Sequence, residues 1–318
     1  MRIALDVMGG DNAPQELVAG AILWSETSNT ELLLVGQEGP IMRELSNYSY
    51  DHSKISIVNA TQIMEMDEPV TALRKKQDSS IVVATRLVKE GKADAVVSCG
   101  STGAQMAAAL LILGRLASID RSPIAALTPS IGAKNALLLD VGANVDCKPQ
   151  QLLQFAILGK VYASILTGVE NPRVALLNIG EEENKGNNLS LETYSLFKNQ
   201  PDLNFIGNIE GRELFFGKSD VVVCDGFTGN ILLKSMEGLA MLLGRACFEE
   251  LGRLPKVFEQ LDYSQAGGTP LLGVNGVSIV CHGSSKREAV SNGIRIAEQC
   301  VNRKMVSSQI LALGAVSE

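Results

Sequence analysis

The hydrophobic positions of this chain fall into short β-rich runs separated by longer stretches with helical spacing. Several of the short runs lack polar alternation, as expected for strands that helices cover on both faces. The pattern predicts nine strands: Ile3–Val7, Glu31–Val35, Ile55–Asn59, Ala95–Ser98, Ala136–Val141, Val174–Ile179, Leu203–Ile206, Val221–Cys224 and Val277–Cys281.

The stretches between these runs predict six helices: Ser79–Lys89, Gln105–Leu116, Gln150–Leu166, Leu189–Lys198, Ile231–Glu250 and Ser285–Leu313. Alternation of strands and helices is typical of an α/β fold with a mainly parallel sheet flanked by helices. No internal repeat and no linker rich in Pro, Gly or Ser interrupts the pattern. We therefore expect a single domain over residues 1–318, with two lobes around a cleft.

A helical hairpin is predicted near residues 236–262, because Gly252–Lys256 reads as a break between two helices. Two interpretations of the hairpin remain open. It packs on its own lobe as an ordinary helical hairpin, or its apolar tip faces a partner or a membrane surface.

Composition narrows the classes of function. The 318 residues carry a net charge of -7 and no long basic arm, which argues against a general nucleic-acid binder. The apolar stretches are too short to span a bilayer, and the N-terminus shows no signal peptide. Six scattered cysteines without a Cys-x-x-Cys pair favour reduced thiols in a cytoplasm over disulfides or a zinc site. We expect no metal and no organic cofactor.

Five predicted strands run into turns rich in Gly and small polar residues, and four of these turns lead into a predicted helix. Such loops at the carboxyl ends of parallel strands share one rim of a sheet, where ligands bind. Glycine lets the backbone approach a ligand, and helix N-termini attract anions. We therefore expect one cleft for an anionic group, formed by residues 6–14, 98–104, 178–187, 225–230 and 282–285.

Known nucleotide and hydrolase motifs are missing from these loops. The chain has no Gly-x-Gly-x-x-Gly, no Walker-type Gly-x-x-x-x-Gly-Lys-[Ser/Thr] and no Gly-x-Ser-x-Gly. The predicted anion site is therefore neither a dinucleotide site nor a standard phosphate loop.

Among the loop residues, Lys185 is the first candidate, because a lysine ammonium between Asn184 and Gly186 suits phosphate. Asn230 has two readings: it caps the following helix, or its amide donates to an oxyanion. We expect His282 to be a loop residue rather than a general base. Asp6 and Asp225 are expected to cap their turns, and Cys99, Cys224 and Cys281 to be small buried apolar residues.

Several segments together resemble the acyl-acyl carrier protein:phosphate acyltransferase family, PlsX. The resemblance runs in order along nearly the whole chain, and the segments DVMGGDNAP and PLLGVNG are its most specific parts. The similar segments are Asp6–Pro14, Ala72–Gly103, Leu139–Lys148, Asn178–Asn187, Gly207–Arg212, Asp220–Asn230 and Pro270–Ser285.

This resemblance implies the isocitrate/isopropylmalate-dehydrogenase-like fold, a homodimer, and transfer of an acyl group from acyl carrier protein (ACP) to inorganic phosphate for phospholipid synthesis. It places the catalytic lysine at Lys185 and the catalytic asparagine at Asn230. It also implies peripheral membrane contact, although the helical tip at Gly252–Lys256 looks shorter than in relatives. The glycine loop departs from the family pattern at Cys99 and Ser101. The expected substrate- or phosphate-binding residues are Gly10, Asp11, Ser101, Thr102, Gly103, Gly229, His282 and Ser284.

The expected mechanism is direct attack of phosphate on the thioester, with Lys185 and the backbone amides of Gly103–Ala104 or Gly229–Asn230 holding the anion. An acidic carrier meeting an acidic enzyme needs a local basic patch. The candidates are Arg74–Lys76, Lys286–Arg287 and Arg303–Lys304. Two alternatives to this function are a phosphate acetyl- or butyryltransferase that uses acyl-CoA and a non-catalytic ACP-binding scaffold. A decarboxylating dehydrogenase on the same fold is disfavoured, because the nicotinamide fingerprint is missing.

Overall fold

The computed structural model describes residues 1–130, 135–255, 258 and 267–317. Within these ranges the strands alternate with helices along the chain. The strands are β1 (Arg2–Asp6), β2 (Glu31–Gly36), β3 (Ile55–Asn59), β4 (Ala95–Ser98), β5 (Ala125–Thr128), β6 (Ala136–Leu139), β7 (Val174–Asn178), β8 (Phe205–Glu210), β9 (Val221–Val223), β10 (Gly268–Pro270) and β11 (Val277–Cys281).

The helices are mostly crossovers between parallel strands. They are α1 (Gln15–Ser25), α2 (Glu38–Leu45), α3 (Ser80–Lys89), α4 (Thr102–Ala108), α5 (Pro149–Thr167), α6 (Asn188–Lys198), α7 (Gly226–Leu251), α8 (Arg287–Asn302) and α9 (Met305–Ser317). Short 3-10 helices cover Val70–Arg74 and Gly211–Phe216, and a π-helical turn covers Ala109–Leu113. No helix in the described ranges is both long and apolar enough to cross a membrane.

The chain folds into two compact units, and the first comprises residues 1–115 and 263–306. Its six-stranded sheet has the order β10-β11-β4-β1-β2-β3. All neighbours are parallel except β10 and β11. Helices α1 and α8 approach closely because Gly20 has no side chain: a Cβ there would stand 2.6 Å from the Cβ of Val290.

The second unit comprises residues 116–262 and 307–318. Its five-stranded sheet has the order β5-β6-β9-β7-β8, with only β5 and β6 antiparallel. Strand β9 lies at the centre, and its three valines are fully buried. The adjacent strands β6, β9 and β7 therefore end side by side at one edge of this sheet.

The expected α/β fold with mainly parallel sheets is confirmed. Eight predicted strands are present with shifts of at most two residues at their ends, and the ninth, Leu203–Ile206, overlaps β8 only at Phe205 and Ile206. Among the strands and α-helices, four were not predicted: α1, α2, β5 and β10. Helix α1 lacks helical amphipathicity because most of its residues are buried. Strand β10 has only three residues and ends in a proline, so it carries little strand signal.

Three predicted helices differ from the structure by more than one residue at an end. The stretch Ser285–Leu313 is two helices, because the backbone of Lys304 turns to a φ of 53° between α8 and α9. The stretch Gln105–Leu116 is α4 followed by the π-helical turn. Helix α7 begins at Gly226 rather than Ile231, because the Asp225 carboxylate caps it by accepting a hydrogen bond from the Thr228 amide at 2.8 Å.

Part of the predicted hairpin can be followed. Helix α7 ends at Leu251, and Gly252 then adopts a left-handed backbone with a φ of 66°. Most of the predicted second arm, at residues 256–257 and 259–262, lies outside the described residues. The expectation of a single two-lobed domain stays a prediction.

Candidate active site

The five glycine-rich loops belong to two different sheets. Three of them follow β1, β4 and β11 of the six-stranded sheet, and two follow β7 and β9 of the five-stranded sheet. The expectation that all five share the rim of one sheet is therefore wrong, because strand pairing divides them between the two units. All five loops lead into helices, including the first, which precedes α1.

In the first unit, the buried carboxylate of Asp6 organises the rim. Its Oδ2 accepts a hydrogen bond from Ser98 Oγ at 2.7 Å, and Ser98 Oγ accepts one from the Gly100 amide at 3.0 Å. Oδ1 also accepts from the Met8 amide at 3.3 Å, which confirms the predicted turn-capping role. Burial raises the pKa of Asp6, and these hydrogen bonds oppose the shift.

The loops after β1, β4 and β11 are in direct contact. The Asp11 amide donates to the carbonyl of Gly283 at 2.9 Å. Gly10 has a φ of 106°, and a Cβ there would stand 2.8 Å from the carbonyl oxygen of Cys99. The structure thus brings three of the predicted binding segments to one edge of the six-stranded sheet, including Gly10, Asp11, Ser101, Thr102, Gly103, His282 and Ser284.

His282 is exposed and engaged with its own loop. Its Nδ1 accepts a hydrogen bond from the Ser284 amide at 3.2 Å and lies 2.7 Å from Ser284 Oγ. These contacts agree with the interpretation of His282 as a loop residue.

In the second unit, side-chain amides fix the loop that carries Lys185. Asn178 Nδ2 donates to the Lys185 carbonyl at 3.0 Å, and Asn208 Nδ2 donates to the Glu182 carbonyl at 2.9 Å. Gly186 has a φ of 102°, and a Cβ there would stand 2.6 Å from Asn178 Oδ1. The loop is therefore held in one path between β7 and α6.

Two of the three acids before Lys185 are paired with other lysines. Glu183 pairs with Lys198 at 2.8 Å, and Glu181 pairs with Lys218 at 3.2 Å. Lys185 itself is exposed and forms no ion pair with any residue that the structure describes. Its positive charge is thus available to an anion.

Asn230 lies one turn inside α7, so the reading of Asn230 as the helix cap is wrong; Asp225 takes that role. Asn230 is exposed, and its side chain lies against Gly142, where a Cβ would stand 3.4 Å from Asn230 Oδ1. The Gly229 amide donates to the Asp225 carbonyl at 3.0 Å. It is therefore already used inside the helix and is not a free donor for phosphate.

An apolar cavity of about 680 Å³ opens beside these two loops. One face of α7 forms one wall, and the end of β7 with the start of the following helix forms the other. Gly186 and Ile231 line the cavity, so Lys185 and Asn230 are each next in sequence to a lining residue. The apolar lining residues are Leu152, Leu176, Leu177, Ile179, Phe227, Ile231 and Leu232.

The cysteines near the cavity are poor nucleophiles. Burial raises the pKa of the Cys147 thiol to about 11 and that of the Cys224 thiol well above its usual range. A thiol in this state is almost entirely protonated at neutral pH. Cys99, Cys224 and Cys281 are buried, which confirms their expected role as small apolar residues.

Sequence reasoning did not single out Asp140 and Asn144, although both belong to the segment LDVGANVDCK. They form the turn after β6, and both side chains are buried. The signal was present as an acid directly after a strand, followed by glycine and asparagine, at the same sheet edge as Lys185 and Asn230.

The fold is similar to that of several solved enzymes. A EutD phosphotransacetylase from Staphylococcus aureus matches with a TM-score of 0.64 at 18% identity, covering 95% of this chain and 94% of that one. A branched-chain phosphotransacylase from Enterococcus faecalis matches with a TM-score of 0.62 at 18% identity, covering 94% and 99%. A 4-hydroxythreonine-4-phosphate dehydrogenase from Klebsiella pneumoniae matches with a TM-score of 0.51 at 14% identity, covering 95% and 97%. These matches show the fold alone.

Sequence comparison is more specific. A phosphate acyltransferase from Syntrophomonas wolfei is 60% identical over 100% of both chains. One from Heliobacterium modesticaldum is 53% identical over 97% of this chain and 96% of its own. The model of the fatty acid synthesis protein family matches residues 1–308. This chain therefore belongs to the fatty acid synthesis protein family, the PlsX family of phosphate acyltransferases.

Proposed function

We propose that this enzyme transfers a fatty acyl group from acyl-ACP to inorganic phosphate and so supplies acyl phosphate for phospholipid synthesis. The observation that carries the proposal is the apolar cavity beside the loops of Lys185 and Asn230. An acetyl group has little apolar surface to bury, whereas each buried methylene of a fatty acyl chain contributes about 0.8 kcal/mol. The lining therefore favours a long acyl chain.

In the proposed reaction, an oxygen of hydrogen phosphate attacks the thioester carbonyl carbon. The new C–O bond gives a tetrahedral oxyanion, whose collapse breaks the C–S bond and releases the carrier as a thiolate. The proton of hydrogen phosphate balances that thiolate, so the products are acyl phosphate and free carrier thiol. Lys185 holds the phosphate, and the amide of Asn230 donates to the oxyanion.

The loops of the first unit are proposed to bind substrate. This assignment covers Gly10, Asp11, Ser101, Thr102, Gly103, His282 and Ser284, and it is supported by their shared position at the carboxyl edge of the six-stranded sheet. We do not include Gly229 among the binding residues. Its role is to let α7 pack on the backbone of Asp140, where only a residue without a side chain fits.

For the carrier, we propose docking at Arg74 and Lys75. Both side chains are exposed and form no ion pair with the residues that the structure describes. Lys76 of the same run pairs with Glu68 at 2.7 Å, and in the run Lys286–Arg287 the arginine pairs with Glu16 at 2.8 Å.

The outer half of α7 supports the expected homodimer. Its large apolar side chains are exposed on several faces of the helix, as at Leu239, Met241, Leu242 and Phe248. Apolar surface of this extent marks an interaction site. We propose that it forms the contact with a second copy, in a cytoplasmic enzyme whose helical tip touches the membrane surface. Sedimentation equilibrium of the full chain tests the dimer, and a monomer at micromolar concentration contradicts it.

The deciding experiment is an assay of acyl phosphate formation with inorganic phosphate and a panel of acyl-ACPs and acyl-CoAs. We expect the highest turnover with long-chain acyl-ACP. Preferential use of acetyl- or butyryl-CoA would identify a phosphate acetyl- or butyryltransferase instead. Failure to make acyl phosphate from any thioester would identify a non-catalytic ACP-binding scaffold.

A further inference from the structure

The turn after β6, residues 140–144, is built around a buried carboxylate. Asp140 Oδ1 accepts hydrogen bonds from the amides of Ile124 at 2.9 Å and Ala143 at 3.2 Å. Asp140 Oδ2 accepts from the backbone amide of Asn144 at 2.7 Å and from its Nδ2 at 2.8 Å. We call residues 140–144 the Asp140 turn.

All four donors to Asp140 are neutral amides. No lysine or arginine in the described parts of the chain pairs with this carboxylate. Burial raises the pKa of Asp140, and the four hydrogen bonds act against that shift. A fully hydrogen-bonded buried group holds its neighbours rigidly, because losing any one bond leaves a polar atom unsatisfied.

The Asp140 turn is in backbone contact with the first turn of α7. The Gly226 amide donates to the Asn144 carbonyl at 2.8 Å. A Cβ at Gly226 would stand 2.9 Å from Asp140 Oδ2, and a Cβ at Gly229 would overlap the carbonyl oxygen of Asp140. The start of α7 is therefore packed directly on this turn.

The same turn also contacts the side chain of Asn230. Gly142 has a φ of 117°, and its Cα faces Asn230 so that a Cβ there would stand 3.4 Å from Asn230 Cγ and Oδ1. The turn thus meets Asn230 in two ways: through the helix that carries it and through Gly142 beside its amide group.

We propose that Asp140 is a positioning residue for Asn230, acting through the Asp140 turn and not by contact with substrate. This inference rests on the proposed oxyanion role of Asn230. The carboxylate fixes the turn, the turn fixes the first turn of α7, and Gly142 of the same turn lies beside the Asn230 amide. A donor that serves an oxyanion must be preorganised, and a displacement of about 1 Å costs on the order of 100-fold in rate.

Two variants disturb this arrangement at different points. Asp140→Asn keeps the shape but places an NH₂ group against N–H donors. Gly142→Ala removes none of the four donors to Asp140 and adds a methyl group beside Asn230. For each, we expect kcat to fall about 10- to 100-fold, with the KM values for phosphate and acyl-ACP within about twofold of wild type.

A double-mutant cycle separates positioning from general damage. Adding Gly142→Ala to Asn230→Ala should change kcat by less than about twofold, because the amide group beside the changed turn is already gone. An equal fold loss in both backgrounds, or a rise in KM in place of a fall in kcat, would overturn the inference. If Asp140→Asn folds, its kcat is measured in the same cycle with Asn230→Ala. If it does not fold, the cycle with Gly142→Ala tests the inference.

The matched control is Gly168→Ala. Gly168 also has a positive φ, of 75°, but a Cβ there would meet nothing within 4 Å, and it lies at the end of α5 in the same unit. We expect normal kcat from this variant, and a loss like that of Gly142→Ala would assign the effect to backbone strain and overturn the inference. Normal turnover of Asn230→Ala alone would instead contradict the proposed function of Asn230, which is a distinguishable result.

Discussion

The aliphatic stem of Lys185 lies over the backbone of Gly180, so closely that a Cβ at Gly180 would stand 3.0 Å from the lysine Cγ. Glu182 Oε2 would be 2.9 Å from the same Cβ. The path of the Lys185 side chain therefore depends on the absence of a side chain at Gly180.

Replacing Gly180 tests this dependence. We expect Gly180→Ala to push the Lys185 stem aside and to lower kcat/KM for phosphate about 10-fold, because the ammonium loses its fixed position. Steady-state kinetics at varied phosphate measure the change. Gly314→Ala is the control, since a Cβ at Gly314 in α9 would meet nothing within 4 Å. Wild-type phosphate kinetics in Gly180→Ala would contradict the role of this contact.

Removing the side chain of Lys185 or Asn230 should lower turnover far more than Gly180→Ala does. Loss of one preorganised donor at an oxyanion or phosphate lowers turnover by about 100- to 1000-fold. We expect losses of this size from Lys185→Ala and Asn230→Ala, with circular dichroism spectra unchanged. Lys234→Ala, an exposed lysine on α7 that pairs with Glu237, should keep normal turnover. Near-normal activity in either of the first two variants rejects that residue's assignment.

The elements of the fold were largely readable from the sequence, because short β-rich runs carry their own strand signal. The partition into two sheets was not, since pairing of β11 with β4 joins residues that are distant along the chain. Helix α1 was missed because most of its length is buried, which removes the polar face that sequence reasoning looks for.

The candidate site was readable in part. Lys185 and Asn230 follow strand ends in loops rich in glycine, which is a local signal. The importance of Asp140 is not local. It depends on the Ile124 amide and on the seating of Gly226, and both contacts exist only once the five-stranded sheet has formed.

The cavity predicts which residues limit acyl-chain length. Ser235 lines it two turns along α7 from Phe227 and Thr228. We expect Ser235→Trp to fill the part of the cavity beside this position, lowering kcat/KM for long-chain acyl-ACP at least about 10-fold while leaving short-chain substrates nearly unaffected. Lys234→Trp is the control, because Lys234 is the neighbour of Ser235 on the same helix but does not line the cavity. A uniform loss across chain lengths would place the acyl chain elsewhere.

Docking of the acidic carrier predicts a salt-dependent effect at Arg74 and Lys75. We expect Arg74→Glu/Lys75→Glu to lower kcat/KM for acyl-ACP about 10-fold at low salt, with the difference shrinking as salt rises. Activity on an acyl-CoA of the same chain length should be unchanged. Arg43→Glu/Lys92→Glu introduces the same charge change at other exposed positions of the first unit. An equal effect of both double variants would indicate general repulsion rather than a docking patch.

Stability of the first unit should depend on pH through Glu16. Its carboxylate accepts hydrogen bonds from the Arg287 amide at 2.8 Å, Nε at 3.2 Å and Nη2 at 2.8 Å, joining the start of α1 to the start of α8. The side-chain hydrogen bond from Arg287 lowers the pKa of Glu16 below its ordinary value of 4.5. The unfolded chain therefore takes up a proton first, so this stabilisation is complete above pH 4.5 and is lost as the pH falls through the folded-state pKa.

Glu16→Gln keeps the size of the side chain and removes its charge. We expect it to lower the free energy of unfolding by about 1 kcal/mol at pH 7 and by less at an acid pH below the folded-state pKa, where wild-type Glu16 is itself protonated. Trp24, the only tryptophan, lies in α1 and reports the unfolding of this unit in urea by its fluorescence. Glu90→Gln breaks an exposed pair with Lys92. It should lower the free energy of unfolding at pH 7 by less than Glu16→Gln does. A loss for Glu16→Gln that is the same at both pH values would show that shape, and not the charge on Glu16, joins the two helices.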